Sequence, residues 1–379
     1  MEPSPLVGLA VGLACAVDVS AQDVIEDRVH CPDCQLTMTV EVRLGDADGP
    51  GAIWPEPVWI ELDSHTRFWL VSATAQPMVF DSGGRFVQRV GRMGGGPGEL
   101  RSPRRAVAIG DSVAIYDQAG RVVVFGPDLE ASRTIRVPDP QIRGLVPLVW
   151  PDTAVADGLG RGPDLVGRPL HLMDFSGTTA RALGSFDGGG GTHLSGASPR
   201  RLERRLAVAE GDAGLWAIDR VLRYRVVRWT GAGDLVAEFV RDADWFPEGG
   251  SGLAGGPEAP PSPRIVGIHE DADGLLWVVG HAAAPGWREA WAEAGIDDLM
   301  DGPVPAEIRP DMFPSASELY RTVVEVLDPV EGHVVLRESL DQDRYVTTLL
   351  ADGRMVVQRT GEFDVPYLEI VRLGVSGSP

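Results

Sequence analysis

The sequence predicts an all-β protein: a ring of six four-stranded sheets, with one small helical insertion in the fifth. Three observations predict it. Short apolar runs recur along all 379 residues, broken by 47 glycines and 30 prolines, a composition of many strands and turns rather than of disorder. Gly49-Pro50-Gly51-Ala52-Ile53 matches Gly96-Pro97-Gly98-Glu99-Leu100 at an offset of 47 residues. Each copy comes after a strand-like run ending in glycine, at Gly45 and Gly91, and precedes a proline and a further strand. A period in the forties made only of strands is the mark of a propeller blade.

The chain opens with Leu6 to Val17, an apolar run of 12 residues, too short to span a bilayer. Val19-Ser20-Ala21 has the small residues of a signal-peptide cleavage site, although the first arginine comes only at Arg28. Residues 1–21 are read as a signal peptide cleaved near Ala21, which places the mature chain in the periplasm or outside the cell; a buried N-terminal element is the alternative. Residues 22–35 carry Cys31 and Cys34. A redox Cys-x-x-Cys precedes a helix, whereas here Leu36, Met38, Val40, Val42 and Leu44 alternate as a strand. Zinc would need two more ligands and only His30 is near, so a small disulfide is expected.

The propeller is expected over 36–374, with a tail at 375–379. Inner hairpins read at 58–72, 106–117, 206–219, 265–280 and 345–359, with a weaker one near 145–155. Outer hairpins read at 78–91, 122–137, 170–184, 224–239 and 323–338. Residues 366–374 make only half a hairpin, and the orphan strand 36–45 is its partner. The N-terminus therefore completes the last blade and closes the ring, which leaves few open edges.

The ring also gives a meaning to Arg89–Leu100, "RVGRMGGGPGEL". Phosphate loops lead into a helix, but beyond Leu100 the chain continues as a strand, a turn at Gly110-Asp111-Ser112 and a second strand. The stretch is a link from one blade to the next, and its glycines supply positive-φ positions. The pattern from Phe86 through "RVGRMGGGPGELRSP" to "RVVVFGPD" at 121–128 resembles the NHL-type six-bladed β-propellers, in particular a bacterial exported subgroup. That resemblance implies the fold. It leaves function open, since such propellers bind proteins, peptides or small ligands and some are enzymes.

The long irregular stretches, 157–168, 185–200, 242–263 and 281–319, all fall on connections that open on one face, which is the expected working surface. In the last, "HAAAPGWREAWAEAG" reads as a helix whose Trp287 and Trp291 are either the packed side of a lid or ligand contacts. Arginines recur where inner strands begin: Arg104 and Arg105, Arg204 and Arg205, Arg264. In a chain of net charge −21 they reverse the local sign and suit an anionic group. Pairing with Glu99, Glu203 or Glu270 is the plainer alternative.

All 34 basic residues are arginine, and the acidic balance argues against nucleic acid. No catalytic residue, metal ligand or cofactor is assigned. The lactonase-type propellers hold calcium partly through asparagine, which this chain lacks, and the amidating-lyase type uses several channel histidines, where only His269 stands on an inner strand. The expectation is a monomeric, non-catalytic binding module for a protein, peptide or small anionic ligand. The alternative is a metal-dependent hydrolase or lyase using the channel.

Overall fold

The computed structural model describes residues 23–377 apart from 47, 54–58, 118–119, 137–141, 151–152, 159–169, 175–178, 184–203, 210–213, 222, 232–233, 249–257, 295–313, 342 and 362–364; between 142 and 204 it describes the backbone alone. The expected signal peptide and the insertions at 185–200 and, but for residues 157–158, 157–168 lie outside the described residues; 242–263 and 281–319 lie partly within them.

The strands form a β-propeller. In chain order the sheets are built from 59–89, 103–136, 142–183, 204–241, 264–339 and 345–376. Their first strands, 59–62, 103–109, 142–150, 204–208, 264–270 and 345–349, pack on one another in that order, and the last returns to the first. The repeat is visible in the bonds between neighbours. Trp59 Nε1 donates to the Ala106 carbonyl (3.1 Å) and Ala108 N–H to Glu61 Oε1 (3.4 Å), each across 47 residues. The 47-residue sequence repeat is thus the step from the first sheet to the second.

Six uniform four-stranded sheets were expected. Five sheets have four strands, and the one at 204–241 has five. The addition is Asp23–Val24, which pairs in parallel with Phe239 and Val240. Beyond it the chain runs as a strap. Val29 bridges to Val334, His30 N–H donates to the Val334 carbonyl (2.8 Å), and the His30 ring stacks on His333 at 4.1 Å. The strap is anchored by a buried charge cluster. Glu325 accepts from Arg241 (3.0 Å), Arg337 (2.6 Å) and the Tyr224 hydroxyl (2.7 Å), and both arginines also hold Asp27. Burial, with the Glu325 charge alongside, pushes the Tyr224 phenol well above its usual range. Cys31 and Cys34 come next, joined in a disulfide.

Gln35–Leu44 then pairs antiparallel with Pro366–Ser376, from Gln35 opposite Ser376 to Leu44 opposite Leu368. The core lies between adjacent sheets rather than within one. Trp69 and Phe125 meet at 5.8 Å between the first and second, and Trp216, Tyr224, Trp245 and Phe246 pack between the fourth and fifth. Helix is limited to Trp287–Glu293, α1, and Ala316–Leu319, α2, among the described residues.

The glycine-rich link folds around a cation. Arg92–Met93 and Glu99–Leu100 form a two-stranded parallel ribbon. The loop between them turns its carbonyls inward: Gly94 accepts from Arg121 Nη2 (2.7 Å), and Gly95 (2.9 Å) and Gly96 (3.3 Å) accept from Nη1. Asp117, fully buried, pairs with Arg121 Nε at 2.9 Å and also accepts from the backbone N–H groups of Arg101 and Ser102. Glycine is required at the two ends of the link, where Gly91 and Gly98 have φ of 65° and 73°.

Candidate functional site

All inner strands run the same way, so their first residues gather at one end of the channel. A cavity of about 1140 Å³ opens there, spanning the fourth, fifth and last sheets. Arg205 and Arg264 come to it from the starts of their inner strands, and Arg220 from just beyond the strand Leu215–Asp219. Tyr345 begins the last inner strand and lines the same space.

Arg264 is the best defined of these cations. Cross-strand register sets it opposite His281. Its Nε donates to His281 Nδ1 (3.1 Å) and its Nη2 to the Tyr345 hydroxyl (2.7 Å), while the guanidinium lies 4.4 Å from the Tyr320 ring centre. His281 is buried and stacked on Tyr345 at 4.6 Å. Its other nitrogen, Nε2, donates to the Val346 carbonyl at 2.8 Å, which leaves Nδ1 as the acceptor for Arg264. Burial above all, then the charge of Arg264 and those of Arg220 and Arg205, holds the imidazole well below the usual histidine range, although the Val346 contact opposes this. The ring is therefore neutral near pH 7. The partners that orient Arg264 are thus all neutral, and none of them offsets its charge.

The far wall is acidic and basic in equal measure. Glu369, buried, pairs with Arg43 and Arg359, each at 3.1 Å, and Arg359 also holds Asp343 at 2.6 Å. The rim is the short helix α2, whose cap, Ser315, accepts from Glu318 N–H while its own N–H donates to the Glu318 carboxylate at 2.6 Å. This reciprocal cap fixes where Glu318 sits.

The arginines expected to act together divide. Arg205 and Arg264 share the cavity, and Arg205 Nε donates to the Val266 carbonyl at 2.8 Å. Arg105 does not line it; its guanidinium stacks over Trp59 of the preceding sheet at 4.8 Å. Arg104 is exposed, and the Arg204 side chain lies outside the described residues. Glu270 ends the strand that Arg264 begins, so it cannot be its partner, and Glu99 caps the glycine loop through Gly96 N–H at 2.7 Å. Trp287 and Trp291 are 8% and 6% exposed and pack with Leu319 and Tyr320. They hold α1 against Tyr320, beneath Arg264, instead of presenting indoles to a ligand. His281, Arg220 and Tyr345 were missed. His281 and Tyr345 stand in strand sequences that carry no motif, and only register brings them to Arg264.

At the other end of the channel, Glu61 is buried against Ala108 N–H. Burial raises its carboxyl to about 8, against the lowering effect of the Ala108 and Trp59 hydrogen bonds. Among the described residues, no three His, Cys, Asp or Glu side chains come together to hold a metal ion. No helix among them is long and apolar enough to cross a membrane.

No family profile matches the chain, and no curated protein does. Solved structures do. A "putative exported protein" of Bacteroides fragilis superposes with a TM-score of 0.56 at 12% identity, over 93% of this chain and 99% of that one. Kuenenia stuttgartiensis hydrazine synthase gives 0.46 at 13%, over 83% and 79%. The Cps50 (Swd1) β-propeller domain of Myceliophthora thermophila gives 0.40 at 9%, over 86% and 99%. Identities this low speak to fold alone. The fold defines the protein as a β-propeller, while the expected membership of the NHL-type propellers finds no support in any family profile or in these neighbours.

Proposed function

We propose that this chain is an exported, non-catalytic binding propeller that takes an anionic group at the Arg205–Arg220–Arg264 end of its channel. In this reading the ring counts six blades, the five-stranded sheet being a blade with an added strand. Export is supported by the Cys31–Cys34 disulfide, since such bonds persist in oxidising compartments.

The observation that carries the reading is the state of Arg264. A guanidinium oriented by a neutral imidazole and a phenol, beside two further arginines, offers N–H donors and uncompensated charge to the cavity. A carboxylate or phosphate is the natural complement, and each charge-assisted contact in such a site contributes ~1.5–3 kcal/mol.

Calorimetric titration with citrate and with inorganic phosphate tests it. At least one should bind saturably and weaken with added salt. Arg264→Ala should weaken it tenfold or more with the fold intact by circular dichroism, and Arg264→Lys should restore it only in part, because the planar fork is lost. Binding indifferent to both substitutions sinks the proposal.

A further inference from the structure

We infer that the anionic ligand is an oligosaccharide bearing carboxylates, an oligouronate, bound along the cavity with one carboxylate on Arg264. The inference rests on the anion reading above and adds the chemistry of the rest of the ligand.

Three features point there. First, about 1140 Å³ is more space than a single small anion fills; pockets for drug-sized ligands run ~300–1,000 Å³. The occupant is an extended molecule, or several joined units. Second, such pockets are usually mostly apolar, whereas here only Ile265, Val266 and Ala316 are aliphatic. Beside its charged residues the wall carries Thr347, Gln358, Thr360, Tyr367, Ser315 and Ser317, of which the Ser315 hydroxyl also caps α2 and that of Thr347 donates to the Val356 carbonyl. A ligand that suits such a wall carries several hydroxyls along its length, with apolar ring faces for Tyr345 and Tyr367. An acidic peptide would leave many of these groups facing methylenes.

Third, the charges are zoned. Arg264 is held at one side by neutral partners alone, while Arg43 and Arg359 across the cavity are tied to Glu369 and Asp343. A uniform polyanion would want cations along its whole length. A chain with carboxylates at intervals and neutral hydroxyls between them fits a cationic side followed by a balanced one. Paired Arg–Glu groups also offer a donor and an acceptor side by side, the spacing of vicinal hydroxyls.

The probes are tetramers of galacturonate, mannuronate and glucuronate, compared by calorimetry with tetraglutamate of equal charge and with neutral maltotetraose. At least one uronate should bind ten times tighter than tetraglutamate, and Arg264→Ala should cost it tenfold or more. Gln358→Ala should weaken that uronate at least threefold and leave tetraglutamate unchanged. If Arg264→Ala does not fold, Arg264→Lys serves, with an intermediate loss expected. Tetraglutamate binding as tightly as every uronate overturns the sugar while leaving the anion site standing. Maltotetraose binding as tightly, and indifferent to Arg264→Ala, overturns the anion site as well. No binding of any uronate overturns the inference, and the citrate and phosphate titrations then decide separately whether the anion site exists.

Discussion

Arg121 and Arg264 are the same residue on the same kind of scaffold, and they do opposite things. Arg121 is wrapped by the carbonyls of Gly94, Gly95 and Gly96 and paired with buried Asp117. Its charge is used inside the protein, where it organises the crossing from one sheet to the next. Arg264 is held as firmly, but by His281, Tyr345 and the Tyr320 ring. The difference lies wholly in the partners. A carboxylate partner makes an arginine structural, and neutral partners leave it addressable. The glycine-rich link surrounds the first arginine, while the partners of the second, His281 and Tyr345, are strand residues with no motif.

The two regions also differ in how their sheets are assembled. The second sheet comes from one continuous stretch, 103–136, whereas the last, which gives Tyr345 to the cavity, needs Gln35–Leu44 from the far end of the chain. Deleting residues 31–45 should therefore undo the cavity end, expose the edge of Pro366–Ser376 and drive aggregation. Size-exclusion chromatography and thermal melting would show it. A monomer with unchanged melting would mean that the cavity wall does not depend on this closure.

Asp117→Ala attacks the other arginine. It strands the Arg121 charge and the Arg101 and Ser102 N–H groups, which should cost about 3 kcal/mol of stability. Anion binding at Arg264 should be unaffected. Denaturant unfolding with a parallel citrate titration separates the two, and a mutant that binds less but unfolds normally would reverse the roles assigned here.

Much of this fold was legible in the chain. The 47-residue offset links the first two inner strands, and the alternation of Leu36 to Leu44 marks the closing strand. What escaped is what lacks a period. Asp23–Val24 is two residues long, below any pattern. The aspartates that open the hairpin turns bind a tryptophan six residues on, Asp63 to Trp69 (2.9 Å) and Asp271 to Trp277 (2.8 Å), a repeat visible in hindsight. The site was half legible. Arginine at inner-strand starts is a sequence feature, but Arg105 and Arg264 are equivalent by that rule. They part because Arg105 meets Trp59 and Arg264 meets His281 and Tyr345, and those meetings depend on register and on neighbouring sheets.

Charge at the two ends of the channel gives a pH test. Glu61 is buried near the end of its inner strand and titrates near 8 instead of near the ordinary 4.5. Between those values the folded chain keeps a proton that the unfolded chain releases. Stability from this group is full below about 4.5 and falls as pH rises to about 8, by roughly 5 kcal/mol at most. Glu61→Gln should flatten that decline and stabilise the protein at pH 8, leaving citrate binding alone. Melting curves from pH 5 to 9 that are parallel for both proteins would show that Glu61 is ionised when folded.

The smallest effect belongs to the disulfide. Cys31 and Cys34 close a loop with a sequence separation of 3, and both are buried beside Val335 and Leu340. A loop this short removes little entropy from the unfolded chain, so reduction should cost about 2 kcal/mol or less. The strap has other anchors: the Asp27 cluster, the His30–His333 stack and the hydrogen bond to Val334. Protein taken from the oxidising compartment should accept alkylation at Cys31 and Cys34 only after reduction, by intact mass. Its melting temperature should then fall by a few degrees, with the Arg264 site still binding. Two thiols already free in that protein would count against both the bond and export. A collapse of binding on reduction would show that the strap, through the fifth and last sheets it joins, holds Arg264 and Tyr345 in register.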